Sequence, residues 1–448
     1  MNEYKALIEK LFEQAKDKGI TEMEAYFREG ESFSVNVFKG SIEDYKLSTS
    51  MGLGFRGFYH GKIGYSYTEK VAEDSIESLI RDVIGNASVN DNEDDDVIFE
   101  GAEEYQEVIT YNEKLDEVTE KAKIDFAMEM DSKAYAHDSR VKVCQACVFS
   151  SGTSNTILMN NKGLYLSEKS NGASSYIVVT AADGEEMSTG VDFMVSNDFT
   201  RYNAVKMAHK AVEEATRMLH AKPVKTGEYK IVLDPVVSAD MLSTIQSMFS
   251  ARAVQKGVSM LKGKLNSKVA SVCVTIVDDP FLKDGMGSAS FDGEGVPTKF
   301  KKLIENGVLT TYLYNLKTAK KDGVTTTGNA SRESYKSTIG IAPSNLYIQK
   351  GEKTFEEVIA YVGDGLYLTD LDGMHSGFNT ISGDFSLGAK GFIIENGVLS
   401  RPVNQITVSG NYFDVMKKIE MVGSDLKFTF GSVGSPSIVI ESLPVTGV

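Results

Sequence analysis

The sequence predicts an α+β fold in which helices pack on mostly antiparallel sheets and the C-terminal half is rich in β-strands. Three observations support this prediction. Apolar residues follow helical spacing from position 7 to 15, and Phe33, Val35 and Val37 alternate with polar neighbours as in a half-buried strand. The segment IENGVL occurs twice, starting at Ile304 and Ile394, and Asn-Gly between apolar strands is typical of a type I′ hairpin.

The N-terminal half alternates between helical and strand-like segments. The first helix ends at Gly19, a residue type that commonly terminates helices. Glycines then punctuate a strand-rich region between about 24 and 67. The later segments are, in order, a helix at 71–85, a long helix at 115–137, hairpin-like strands at 141–168 and a helix at 201–219.

A length of 448 residues predicts more than one domain. The best boundary is Lys222-Pro223, just before the strand-like GEYKIVLDP, which gives domains of 1–222 and 223–448. The acidic run near 90–105 is expected to be a solvated linker. A helix at 237–253 opens the second domain. The two IENGVL copies fit a duplicated subdomain, or equally two unrelated hairpins.

Charge and composition exclude several function classes. The chain has 63 acidic and 47 basic residues, a formal net charge of −16, which opposes direct binding to nucleic acid. The charged N-terminus is not a signal peptide, and no apolar run reaches the ~18–20 residues that span a bilayer. Three cysteines give no disulfide framework, so a cytoplasmic protein is expected.

Cys144 and Cys147 form a CxxC pair, which fits a redox centre or half of a metal site. The surrounding RVKVCQACVF is strand-like, and residues three apart in a regular strand point to opposite faces. We therefore expect two separate core thiols here.

Other familiar chemistries are poorly represented. GLGFRG at 52–57 matches GxGxxG but is followed by a strand-like segment, whereas dinucleotide binding needs a helix there. Phosphate-loop and GxSxG motifs are absent, and no two histidines lie within five residues of each other, as a zinc-binding helix requires.

The segment GMHSGFNTISGDF concentrates polar chemistry in a glycine-flanked turn. It contains His375, Asn379, Ser382 and Asp384. A histidine here suits acid–base chemistry, peptide contact or a structural hydrogen bond, and Asp384 equally suits bonding to its own turn.

Several blocks make the chain resemble the TldD/PmbA family. FREGESFSVNVFKGSIEDYKLSTSMGLGFRGFYHGKIGYSYT is similar to the family's N-terminal region. TIVDDPFLKDGMGSASFDGEGVPTKFKKLIENGVL and ISGDFSLGAKGFIIENGVLSRPVNQITVSGN are similar to its C-terminal region. The resemblance covers essentially the whole chain and implies the two-domain architecture of that family.

The resemblance also implies which ligands are missing. TldD-type members carry HExxxH on a helix and a later cysteine that completes a metal site, whereas PmbA/TldE members lack them. Counting back without gaps from KVASVCVTIVDD, the histidine positions fall on Leu242 and Ser247 and the glutamate on Ser243; GSVG places Val433 at the cysteine. These side chains cannot hold zinc as imidazole, carboxylate and thiolate do.

The resemblance therefore implies a PmbA/TldE-type subunit with no catalytic residue, metal or cofactor of its own. Zinc is expected in a TldD-type partner. The implied assembly is a cytoplasmic metalloprotease acting on unfolded or modified peptides, in a family associated with microcin maturation, antitoxin turnover and gyrase modulation. A homodimer without the partner is an open alternative.

Candidate peptide or chamber contacts lie in the turn segment and in TGNASRES. They are His375, Asn379, Ser382, Asp384, Asn329, Arg332 and Glu333. Arg332 suits a peptide carboxylate or carbonyl, or alternatively a solvent-facing ion pair with Glu333. Two other functions stay open: an independent hydrolase centred on His375 and Asp384, and a non-enzymatic adaptor for gyrase-related partners.

Overall fold

The structure is a computed structural model that describes residues 2–90 and 96–448. Its first half is built on six long strands and the helices that cover them. The elements are α1 (Asn2–Asp17), β1 (Ile20–Phe38), β2 (Ser41–Tyr59), β3 (Lys62–Thr68), α2 (Ile76–Ser88), α3 (Glu113–Asp116), α4 (Glu120–His137), β4 (Val141–Asn160), β5 (Tyr165–Asp183), β6 (Glu186–Ser196) and α5 (Ala204–Arg217).

The six strands form one antiparallel sheet in the order β3-β2-β1-β4-β5-β6. Leu11 and Ala15 of α1 pack with Ile80 of α2 and with Phe27 of β1 in one core. A second core joins α4 and α5 to the middle of β4 and β5. These helices bury one part of the sheet because their apolar residues recur at helical spacing.

The acidic run predicted as a linker lies partly outside the described residues, which resume at Asp96. The segment that follows is attached to the protein. Asp96 forms an ion pair with Lys317 at 2.5 Å, Ile98 is fully buried, and the Tyr105 hydroxyl donates to the Gly295 carbonyl at 2.9 Å. Positions 96, 98 and 105 of the predicted linker are therefore anchored to the protein, whereas positions 102–104 are exposed.

The second half contains shorter elements. They are β7 (Gly227–Leu233), α6 (Pro235–Ile245), α7 (Ala251–Gln255), β8 (Ile276–Asp278), β9 (Lys301–Glu305), β10 (Val308–Leu309), α8 (Leu316–Asp322), β11 (Ala330–Ser331), β12 (Gly340–Ile341), β13 (Leu346–Ile348), α9 (Phe355–Val362), β14 (Gly365–Asp372), α10 (Met374–Gly377), β15 (Asp384–Glu395), β16 (Val398–Asn411), α11 (Tyr412–Lys417), β17 (Ile419–Val422), β18 (Lys427–Phe428), β19 (Val433–Ser435) and β20 (Ile438–Thr446).

Two six-stranded sheets organise this half, in the orders β10-β9-β8-β13-β19-β18 and β16-β15-β14-β7-β20-β17. An extra pairing of β16 with β20 closes five strands of the second sheet into a small barrel. The predicted α+β class, with mostly antiparallel pairing, is confirmed. The two parallel pairs are β7 with β14 and β13 with β19.

Both IENGVL segments form the predicted hairpins. Asn306-Gly307 and Asn396-Gly397 all have positive φ, as a type I′ turn requires. The first connects β9 to β10 and the second connects β15 to β16, in different sheets.

The helix expected at 237–253 is broken. α6 ends at Ile245, a 3₁₀ turn covers Gln246–Phe249, and Ser250 is extended before α7 begins. The extended residue allows the chain to pair with Leu313, whose N–H donates to the Phe249 carbonyl at 2.8 Å. Tertiary pairing therefore overrides the helical pattern.

The expectation that Cys144 and Cys147 face opposite sides of their strand is also wrong. The pairing of β4 with β5 shifts register between Cys144 and Ala146, which is a β-bulge. One extra residue reverses the alternation, so both side chains enter the core that includes Phe149 and are fully buried.

Among the described residues, no helix is long and apolar enough to cross a membrane.

Candidate functional site

A polar cavity of about 1730 Å³ lies between the first sheet and loops of the second half. Its walls come mainly from β1 at 28–34, β4 at 150–154, β5 at 168–174, the segment 106–113, and loops at 281–288 and 333–336. Serine side chains and glycine backbone are frequent along these strands. A wall of this kind offers hydrogen bonds to a backbone without demanding particular side chains.

The loop at 281–288 is held over the cavity by buried Asn345. Its side-chain oxygen accepts from the Gly287 N–H at 2.9 Å, and its amide donates to the Asp279 carbonyl at 2.7 Å. A Cβ at Gly287 would lie 2.0 Å from the Ser344 carbonyl oxygen, so this close approach requires glycine. Our sequence reasoning missed this loop, although the glycines of KDGMGS are a signal for it.

A buried network of charges joins the two halves beside the cavity. Glu24 of β1 accepts from Arg56 of β2 at 2.9 and 3.2 Å, and also from Arg332 of the second half. Arg332 donates through Nε to the Gly293 carbonyl at 2.7 Å, and its guanidinium lies 5.0 Å from the Tyr26 ring. Ion pairs this well hydrogen-bonded fix the relative positions of the segments that carry them.

Two further carboxyl groups extend this network. Asp292 accepts from the N–H groups of Glu294, Val296 and Ala330, but burial raises its pKa to about 6. Burial likewise raises the pKa of Glu294 to about 7, against the opposing effect of Arg56, which lies 3.8 Å away. The carboxyl groups of Asp292 and Glu294 therefore titrate near neutral pH. Asp292 also holds the turn at 292–296 through its hydrogen bonds.

Asn329, predicted as a peptide contact, is buried in a neighbouring network. Its amide donates to Asp278 at 2.7 Å, and its side-chain oxygen accepts from Lys301 at 2.9 Å. Lys301 also pairs with Asp278 at 2.9 Å. Because these three side chains satisfy one another, the role of Asn329 is to hold β8 and β9 against the loop that follows Gly328.

The other two candidates of TGNASRES, Arg332 and Glu333, lie in different surroundings. The Arg332 side chain is 2% exposed and contacts Glu24, so the alternative of a solvent-facing ion pair with Glu333 is wrong. Glu333 is exposed and lines the cavity together with Lys336. Glu333 is the one member of the seven candidate contacts that lines this cavity.

The four candidates of the turn segment lie outside the cavity, and three of them, Asn379, Ser382 and Asp384, form hydrogen bonds within the turn. His375 is exposed on α10. The Asn379 side chain accepts from the N–H groups of Ile381 and Ser382 at 2.9 and 3.0 Å. Asp384 accepts from the Ser382 hydroxyl at 2.7 Å and the Asn411 amide at 2.8 Å, and these bonds lower its pKa, Asn411 having the larger effect.

Helix α6 and strand β19, which carry three of the four positions assigned to the family's metal ligands, pack against each other. The Ser238 hydroxyl of α6 lies 2.8 Å from that of Ser435 on β19. Leu242 and Val433 are both buried in the large core of this half. Apolar side chains fill this place, and hydrocarbon cannot coordinate zinc.

The two serines of this set do not supply a metal site either. Ser243 is half-buried on α6, whereas Ser247 is exposed and belongs to the 3₁₀ turn that follows the helix. Neutral hydroxyls are weak ligands beside thiolate, imidazole or carboxylate. The residues at the assigned positions therefore do not fit the zinc ion that the resemblance implies for TldD-type members.

Profiles of the PmbA/TldA metallopeptidases match the chain along most of its length: domain 1 at 23–87, the central domain at 113–219 and the C-terminal domain at 226–447. An uncharacterized protein of Methanocaldococcus jannaschii is 30% identical over 444 residues, which are 97% of this chain and 98% of that protein. A metalloprotease TldD homolog of Haemophilus influenzae is 26% identical over 461 residues, covering 98% and 95%.

Solved structures share the whole fold. A candidate modulator of a DNA gyrase from Thermotoga maritima has a TM-score of 0.92 at 33% identity, covering 99% of this chain and 100% of that one. TldE from Thermococcus kodakarensis has a TM-score of 0.90 at 22% identity, covering 98% and 100%, which shows likeness of fold. The chain belongs to the PmbA/TldD family of metallopeptidase-related proteins.

Proposed function

We propose that this chain is the PmbA/TldE-type, non-catalytic subunit of a peptidase whose catalytic zinc is carried by a TldD-type partner. The observation that carries the proposal is the occupancy of the assigned ligand positions by Leu242, Ser243, Ser247 and Val433. Buried hydrocarbon at two of these positions and neutral hydroxyls at the other two give the chain neither a Lewis acid nor a base to activate water there. Peptide hydrolysis must then use groups of another chain.

The cavity gives the subunit a positive role in the assembly. Its volume of about 1730 Å³ exceeds that of a typical small-molecule pocket, which reaches roughly 1,000 Å³. Strands with serine and glycine facing this space suit an extended polypeptide. The proposed substrate is therefore an unfolded or modified peptide held by contacts to its backbone.

A free strand edge lies beside this space. β3 pairs with β2 only from Leu53 to Tyr59, and within residues 2–90 and 96–448 no strand pairs with the outer side of Ser41–Gly52. Lys46 and Ser50 of this stretch line the cavity. Unpaired N–H and C=O groups of such an edge can bind one further strand.

A cytoplasmic location is part of the proposal. Cys144, Cys147 and Cys273 are all free thiols in the structure, which suits a reducing compartment.

The test uses this chain and a TldD-type chain from the same genome, purified separately and together. Light scattering gives the mass of the complex, and hydrolysis of a fluorescently labelled unfolded polypeptide gives its activity. We expect each chain alone to be inactive and the complex to be active until a chelator removes its metal. Hydrolysis by this chain alone at the rate of the complex would overturn the proposal.

Ser151→Trp tests the role of the cavity within the same complex. Ser151 lines the cavity from β4, so a bulky ring there displaces a bound peptide. Because misplacing a substrate by about 1 Å can lower the rate by roughly 100-fold, we expect a loss of about tenfold or more. Ser167→Trp is the matched control, since Ser167 is an exposed serine of β5 that lies outside the residues that line the cavity. Equal rates in the two variants would remove the cavity from the mechanism.

A further inference from the structure

Asp131, Cys144 and Cys147 form a buried cluster of metal-ligating groups far in sequence from the α6–β19 position. Asp131 lies on α4 and the cysteines on β4, and all three are at most 2% exposed. One ligand atom of each lies within 4.8 Å of the other two. The bulge in β4 creates this arrangement, because a regular strand would place the thiols on opposite faces.

The distances approach those of a tetrahedral metal site. Cys147 Sγ lies 3.9 Å from Asp131 Oδ1, and Cys144 Sγ lies 3.9 Å from the Asp131 carbonyl oxygen. Zinc bonds of about 2.3 Å to sulfur and about 2.0–2.2 Å to oxygen place tetrahedral ligands roughly 3.5–3.8 Å apart. Small rotations of these side chains would place three of the four ligands that a tetrahedral zinc ion takes.

Neighbouring groups already orient the ligands. The Gly40 N–H donates to Asp131 Oδ2 at 2.8 Å and so leaves Oδ1 directed toward the thiols. The Tyr135 hydroxyl accepts from the Cys144 N–H at 3.1 Å and lies beside the cluster. At known metal sites, hydrogen bonds from groups that do not touch the ion hold the ligands in place.

We propose that Asp131, Cys144 and Cys147 bind one thiophilic divalent cation, such as Zn²⁺, and thereby tie α4 to the sheet. Two thiolates and a carboxylate are a ligand set that favours zinc over magnesium or calcium. Because the site is enclosed, its role is structural and the ion enters as the chain folds. The proposal revises the expectation of a chain without metal, and it does not depend on the peptidase assembly.

The test is refolding of the full chain from denaturant with a reductant and Zn²⁺, followed by dialysis, elemental analysis and X-ray absorption at the zinc edge. We expect one ion per chain with two sulfur neighbours. Cys147→Ser and Cys144→Ser should lose the ion, whereas Cys273→Ser keeps it, because Cys273 is exposed in the other half of the chain. Circular dichroism confirms that each variant is folded.

Zinc without sulfur neighbours, or no retained zinc in the refolded wild type, would overturn the proposal even if the cysteine variants fail to fold. The same X-ray absorption spectra distinguish failure of this metal-site proposal from failure of the proposed function. A catalytic ion near Ser243 and Ser247 would lack two thiolates and would survive Cys144→Ser. Loss of the ion in Cys144→Ser would leave unchanged the proposal that the α6–β19 position is non-catalytic.

Discussion

Glu24 of β1 and Arg332 of the second half form a buried ion pair between residues 308 positions apart in the sequence. Arg56 of β2 binds the same carboxylate at 2.9 Å. One carboxylate thus joins two neighbouring strands of the first sheet to a loop segment that leads into the cavity wall at 333–336. The contact positions the cavity rather than any bound peptide, because the Arg332 side chain is almost entirely buried.

Arg332→Ala should destabilise the protein strongly. It leaves Glu24 with one cationic partner and the Gly293 carbonyl without its 2.7 Å donor. Removing one member of a buried ion pair typically lowers the free energy of unfolding by about 3–5 kcal/mol, and we expect a value near the lower end because Arg56 remains. Urea denaturation measures it. Arg81→Ala, at an exposed pair with Asp82, is the control and should change stability by less than about 1 kcal/mol.

Glu294 should make stability depend on pH in the neutral range. Its folded pKa of about 7, and that of Asp292 at about 6, lie above unfolded values of about 4. The native state therefore holds these protons more tightly, and the free energy of unfolding falls as pH rises from about 4 through 7. Glu294→Gln should flatten this decline, whereas Glu333→Gln, at an exposed site, should not. Parallel stability curves for wild type and Glu294→Gln would contradict the assignment.

Two glycines near the same helix should respond in opposite directions to alanine. A Cβ on Gly64 of β3 would lie 1.9 Å from the Val83 carbonyl oxygen of α2, so Gly64→Ala must push the helix from the sheet. We expect a loss of roughly 1–3 kcal/mol. Gly85 of α2 has open space around it, and Gly85→Ala should stabilise by about 0.5–1 kcal/mol. Thermal melting of both variants gives the signs directly.

His375→Ala and Asp384→Ala test the alternative of an independent hydrolase. Asp384 bonds to Ser382 and Asn411 within its own turn, and His375 is exposed outside the residues that line the cavity. We expect both variants to support peptide hydrolysis in the complex at the wild-type rate, with a lower melting temperature for Asp384→Ala only. A selective loss of activity in His375→Ala, with folding unchanged, would restore the hydrolase hypothesis.

Much of the local structure of this protein could be predicted from its sequence, because it depends on the chemistry of neighbouring residues. Asn-Gly pairs fixed both hairpin turns because these residues accept the positive φ that the turn needs. Apolar spacing located α1, since a helix buries one face wherever it packs, and the segments predicted as helices at 71–85, 115–137 and 201–219 overlap with α2, α4 and α5. The ordered blocks of the two halves identified the family, and the missing ligand set at Leu242, Ser243, Ser247 and Val433 stays a prediction from the sequence count.

Tertiary structure alone decided the rest, because the relevant partners are distant in sequence. Pairing of β4 with β5 introduced the bulge that brought Cys144 and Cys147 to one face, a change that strand periodicity cannot anticipate. Contact with Glu24 buried Arg332, whose surrounding sequence reads as a polar loop. The cavity likewise exists only where loops of the second half approach the first sheet. Side chains set the local conformation, but long-range packing determines which of them are available for function.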